Sequence, residues 1–317
     1  MRQLALLAAL TCGMAFAAGP VRLIFDTDIG NDVDDALALA MIHRLESLGE
    51  VQLLAVTITK DCHFAAPYID AVDTFYGRPR IPIGALPPGN PPGKDSPMIQ
   101  LPVESGFYPH KLKDQRDAQD AVTLLRKVLS KEKDHSVVIV QVGFSTNLAR
   151  LLRTDRALIA RKVKLLSVMA GWYPSGKKEF NIYSDVASAK ELFAGWPTPI
   201  VASGFEVGET IKYPASSIEH DFNYVPHHPV VDAYRAYMKM PYDRPTWDPT
   251  ATLYAIRPDA GYFGLSTPGT ITVDDEAITH FTESPKGLHR YLTVTPEQRQ
   301  KVLAVMIQLA SAPPDRK

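Results

Sequence analysis

Hydrophobic positions fall along the chain in short, β-rich runs: VRLIF (21–25), VQLLAVTI (51–58), IPIG (81–84), SVVIVQV (136–142), KVKLLSVM (162–169) and TPIVA (198–202). Between most of them the apolar residues recur at helical spacing, as in ALALAMIHRL, DAVTLLRKVL and DVASAKELF. Strand and helix signals that alternate in this way predict an α/β fold, a mostly parallel sheet flanked by helices on both faces. Further on, GTITVDD (269–275) followed by HRYLTV (289–294) reads as an edge hairpin, and a closing helix is expected from Pro296 to Leu309. The Pro/Gly-rich segment from Gly84 to Pro109 reads as a long loop. No repeat or low-complexity linker divides the chain, so a single domain is expected.

Composition narrows the class. With 317 residues, 45% of them hydrophobic, and a formal charge of −1, the chain can bury a large core and has no basic excess for nucleic acid. A small-molecule partner is expected. The N-terminus reads separately: Arg2, an apolar run from Leu4 to Leu10 and then Ala15-Phe16-Ala17 form a secretory signal pattern over residues 1–17, leaving 18–317 as the mature domain. The run is short for a bilayer span, and Ala9-Leu10-Thr11 is a poor approach to a lipidated Cys12. The mature chain is therefore expected outside the inner membrane, periplasmic or extracellular, and free of membrane. Cleavage would leave Cys62 as its one cysteine, excluding an internal disulfide, and Cys62 reads as an inert residue.

The stretch DTDIGNDVDD, Asp26 to Asp35, places five carboxylates in ten residues directly after the first apolar run. Like charges this close repel one another, so the cluster costs stability unless a cation sits among them. A solvated acidic loop is one reading. An EF-hand is another, but counted from Asp26, Gly30 is fifth and Leu37 twelfth, where that loop needs glycine sixth and an acid twelfth. The third is an enzyme metal site at the carboxyl end of a parallel strand, where open α/β sheets gather ligands.

Read in order, DTDIGNDVDDALALA, VGFSTNLARLL, EFNIYSDVASAKELF and WDPTATLYAI resemble the landmarks of the nucleoside hydrolases, the inosine-uridine preferring N-ribohydrolases. The resemblance implies a single Rossmann-like α/β domain, a bound calcium ion and a ribonucleoside substrate, in a homo-oligomer expected to be a dimer or tetramer. It implies Asp28 and Asp35 as side-chain calcium ligands, Thr146 as a backbone-carbonyl ligand and Asp248 as the carboxylate from a distal helix. It places Asp34 at the ribose 2′-hydroxyl, and Glu179 and Asn181 at the 3′ and 5′ hydroxyls. Asp26 falls behind these ligands as a supporting or structural carboxylate, and Asp32 belongs to a lengthened loop and can be solvated.

The residue types suit that chemistry on their own terms. Calcium takes about six to eight oxygen ligands, so three carboxylates and a carbonyl leave places for two vicinal hydroxyls and a water. Such a water is acidified, and Asp28 is the expected general base, with carboxylates stabilising an oxocarbenium-like transition state. Plainer roles stand beside these: Thr146 and Asn147 as helix caps, Asn181 in a turn, Glu179 in a surface pair, and Asp248 as a helix-start carboxylate.

Two departures stand out. Where many members carry a histidine that protonates the leaving base, this chain has Trp247, which can stack on a base but cannot deliver a proton. Candidate donors elsewhere are Tyr173, Tyr183, His110 and the His227-His228 pair. After the second strand an expected asparagine is replaced by Thr59-Lys60-Asp61-Cys62, where Lys60 or Asp61 can substitute or Lys60 can pair with the acidic cluster. Two other functions compete: a haloacid-dehalogenase-type phosphotransferase, which would not require the EFN or WDP segments, and a calcium-dependent sugar-binding protein that has lost catalysis.

Overall fold

The computed structural model describes residues 19–89, 95–174 and 176–315. The expected signal segment and Cys12 lie outside them. From Val21 the chain lays down β1 (Val21–Thr27), β2 (Val51–Ile58), β3 (Ile83–Ala85) and β4 (Gln119–Asp120) outward in one direction. It then returns to set β5 (Val137–Gln141), β6 (Val163–Met169) and β7 (Ile200–Ser203) on the other side of β1, and every neighbouring pair in this series is parallel. The order therefore reverses between β1 and β5, the place where ligands bind in open parallel sheets.

The central strands β1, β5 and β7 are buried on both faces over most of their length, which is why they are largely apolar. Along β1, Leu23 and Phe25 enter one core and Ile24 the other, following the two-residue period of a strand. The first core includes the helices Asp34–Ser47, Ala65–Phe75 and Trp247–Ile256; the second includes Thr146–Lys162 and Val186–Gly195.

The edge hairpin is present, but its arms are Gly269–Val273 and Thr279–Glu283. The HRYLTV run instead forms a strand, His289–Thr293, parallel to β7, and joins the hairpin to the sheet. The Pro/Gly-rich segment is not all loop. Ser96 accepts the Met98 amide and Pro97 opens a helix, Pro97–Glu104, proline being well suited to a first helical position. Among the described residues no helix is long and apolar enough to cross a membrane.

Candidate active site

At the β1/β5 switch a cavity of about 310 Å³ opens, in the lower range for small-molecule sites. Its lining is of two kinds. Asp28, Asp32, Asp34, Asp35, Glu179 and Asp248 bring six carboxylates to it, and Phe180, Phe205, Tyr237 and Trp247 bring aromatic rings.

The acidic lining is made by the close approach of three chain segments. A Cβ on Gly143 would lie 2.5 Å from the Asp28 amide nitrogen, so glycine is what lets the end of β5 close on the turn after β1. Asp34 and Asp35 occupy the first turn of one helix and Asp248 the first turn of another, where the helix dipole favours negative charge. The Asp248 amide donates to Asp34 Oδ2 at 2.9 Å, and the Thr27 hydroxyl donates to Asp35 Oδ1. Asn31 donates to Asp28 Oδ2 at 2.6 Å and is itself held by Lys60 Nζ on its Oδ1 at 2.8 Å. Lys60, fully buried, thus takes the place beside the acidic cluster; Asp61 instead accepts the Gly89 amide, away from the cavity.

Burial raises the Asp34, Asp35 and Asp248 carboxyls well above the ordinary range, and neighbouring carboxylates push them further. Burial also raises Asp28, to about 6, with Lys60 pulling it back. This set cannot all ionise without added positive charge. One oxygen from each of Asp34, Asp35 and Asp248 lies within 4.8 Å of the others, so the three can hold a metal ion. Buried, all-oxygen donors of this kind suit a hard dication.

Asp26 lies behind the site. It is fully buried on the strand itself, accepts Thr57 Oγ1 at 2.5 Å and Asn147 Nδ2 at 3.0 Å, and is raised to about 7 by burial against those hydrogen bonds. Asn147 also donates to the Ile58 carbonyl, so it ties β1 to β2 and does not cap its helix.

Glu179 is a helix cap, not a surface pair: its carboxylate accepts the Gly171, Asn181 and Ile182 amides, and burial raises it to about 7 despite them. Asn181 donates its amide to the Val142 and Met169 carbonyls at 2.9 and 3.1 Å, leaving its oxygen without a partner among the described residues. Thr146 does not line the cavity, and its hydroxyl donates to Asp185 at 2.5 Å. Residues 142–145 separate it from the strand end, and of this segment Val142 is the residue that lines the cavity.

Trp247 is part of the aromatic lining. It packs on Gly208, where a Cβ would come within 2.5 Å of the Trp247 Cα, donates its indole N–H to the Phe205 carbonyl at 3.0 Å and lies against the Phe205 ring. None of the candidate proton donors lines the cavity. Tyr173 stacks on Tyr291, Tyr183 is exposed, His110 binds the Tyr108 carbonyl, and His227 stacks on Phe107. His228 is enclosed among aromatic rings, and burial pushes it down to about 3. Asp32 is not a free loop carboxylate: half-buried, it makes a bidentate ion pair with Arg244, 212 residues away. Arg244 and Tyr237, which line the cavity, carry no motif that sequence reading could find. Phe180 could have been noticed as the centre of the EFN triplet.

The fold and site define a Rossmann-like α/β protein with a carboxylate-rich, metal-competent cavity at its switch point. The family described as inosine-uridine preferring nucleoside hydrolase matches residues 23–310, and the chain belongs to it. Members of that family are nucleoside N-ribohydrolases, and family and fold together support ribonucleoside hydrolysis. Similar solved structures include a plant nucleoside hydrolase, PpNRh1 (18% identity, 93% of this chain and 100% of that one, TM-score 0.69). An inosine-guanosine nucleoside hydrolase is similar at 20% identity over 90% of this chain and 98% of its own, with a TM-score of 0.71. The inosine-uridine preferring nucleoside hydrolase of Bacillus anthracis is similar at 18% identity over 91% and 99%, with a TM-score of 0.69. No curated protein matches the chain by sequence. The phosphotransferase and binding-protein alternatives find no support in these comparisons.

Proposed function

We propose that the chain is an exported, calcium-dependent ribonucleoside hydrolase in which Asp28 is the general base. What carries this reading is one cavity lined by both a carboxylate cluster and four aromatic rings, chemistry that suits the polar sugar and flat base of a nucleoside. Asp35 and Asp248 would hold calcium, joined by Asp34, the carboxylate grouped with them, and by Asp28 on the same cavity. Bound there, calcium supplies a hard positive charge that acidifies water and favours a vicinal diol.

The chain's own groups then divide the work. Asp28, oriented by Asn31, takes the proton of the attacking water. Asp34, anchored by the Asp248 amide, accepts from the ribose 2′-hydroxyl. The Asn181 oxygen and Glu179 receive the remaining sugar hydroxyls, and Trp247 stacks on the base. Attack at C1′ opposite the departing base inverts the anomeric centre.

Purified protein with calcium is expected to release reducing sugar from ribonucleosides and far less from their 2′-deoxy forms. Absence of release across purine, pyrimidine and nicotinamide ribosides would favour a binding protein. Trp247→Ala is expected to raise KM about tenfold or more, the loss of one stacked base contact, with a smaller change in kcat; unchanged kinetics would make the indole a packing residue. Export is checked by N-terminal sequencing: the mature chain from periplasm or medium should begin at Ala18, and an intact Met1 would count against it.

A further inference from the structure

With tryptophan at the family histidine's position the departing base lacks that proton donor, and Trp247 cannot substitute because its N–H already serves the Phe205 carbonyl. Among the described residues one cationic side chain lines the cavity: Arg244. It stands on a short strand, Arg244–Pro245, just ahead of the helix that carries Trp247 and Asp248. Its position is fixed on three sides. Nε and Nη2 donate to the two oxygens of Asp32, and its Cζ lies 5.1 Å from the ring centres of both Tyr237 and Trp247. Both ring contacts are within cation–π range. Its third nitrogen, Nη1, has no hydrogen-bond partner among the described residues.

We infer that Arg244 is the leaving-group residue: its Nη1 edge donates a hydrogen bond to the base and stabilises the negative charge that develops there as the glycosidic bond breaks. The inference rests on the reading above that a ribonucleoside fills this cavity. In the step, the C1′–N bond breaks and its electron pair goes to the base nitrogen. The water oxygen bonds to C1′ and its proton passes to the Asp28 carboxylate. The base leaves as an anion, takes a proton from solvent, and Asp28 returns its own proton to solvent.

Burial works against the Arg244 charge, but the Asp32 hydrogen bonds outweigh it and hold the guanidinium protonated, so it acts as a donor of hydrogen bonds and not of protons. Asp32 has a defined part here. It neutralises and aims the guanidinium, which explains why the lengthened loop places an acid 212 residues away in sequence against this arginine. Bases with a carbonyl oxygen beside the ring nitrogen, and with an acidic ring N–H once released, are the favoured class.

The test compares uridine with 4-nitrophenyl β-D-ribofuranoside, whose leaving group departs as a stable anion without help. Arg244→Gln is expected to lower kcat on uridine by about 10²–10³-fold, the usual effect of removing one charge-stabilising donor, and to leave the aryl riboside within a few-fold of wild type. Asp32→Asn, which keeps the arginine and removes its clamp, is expected to give a smaller loss with the same split. Equal losses on both substrates, or no loss on either, would overturn the assignment, as would Tyr237→Phe producing the same split with Arg244→Gln silent. Should Arg244→Gln fail to fold, Asp32→Asn still decides: a loss on uridine with the aryl riboside spared supports the assignment, and an equal loss on both, or none, overturns it. A wild-type protein inactive on every riboside would instead overturn the functional reading itself.

Discussion

Replacing Asp28 with asparagine is expected to lower kcat by about 10³-fold with calcium saturating, within the range for loss of a positioned general base. An asparagine oxygen can still meet a cation, so calcium binding followed by calorimetry should persist, whereas Asp28→Ala should weaken both. The acid limb of the wild-type kcat profile should fall at or below about 6, where burial sets the Asp28 carboxyl against the pull of Lys60, and should vanish in the asparagine variant. Retention of kcat within tenfold would move the base role to another carboxylate, with Asp34 the next in line.

Chelating calcium at neutral pH is expected to abolish turnover and to destabilise the fold, and the pH dependence of that loss has a definite sign. Burial raises Asp28 to about 6, and holds Asp34, Asp35 and Asp248 well above their ordinary range. Without the ion, the folded chain therefore binds more protons than the unfolded chain from about pH 4 upward to the raised values. Stability of the stripped protein must fall as pH rises through that window. A cation binds the ionised carboxylates and displaces those protons, so its affinity and its stabilising effect grow as pH rises. Calcium at about a hundred times its Kd adds about 2.7 kcal/mol, roughly 4 °C in Tm for a domain of this size. Melting curves with calcium or with chelator should differ little near pH ~5 and most near pH ~8. A gap that is constant with pH, or that closes as pH rises, would mean that these carboxylates do not hold the ion.

How much of this could be read from the amino acids depended on whether the signal was local. The strands VRLIF, VQLLAVTI and SVVIVQV were legible because a strand buried on both faces must be apolar along its length. The acidic cluster was legible because five carboxylates in ten residues repel one another and call for nearby positive charge once they are buried. The HRYLTV run was misplaced because alternation identifies a strand but not its partner, and β7 competed successfully with the hairpin. Thr146 was placed at the cavity by motif position, but of the segment after β5 Val142 is the residue that lines it.

Local order along the chain was enough for the α/β alternation, the acidic loop after β1 and the separate motifs that carry Glu179, Asn181 and Asp248. Folding was needed to bring Asp248 to Asp34 and Asp35, to carry Lys60 to the cluster through Asn31, and to set Asp32 on Arg244 beside Trp247. Spacing along the chain fixes what one strand or helix presents, whereas contacts between residues 32 and 244 exist only once the sheet reverses its order and brings the two loops to one mouth.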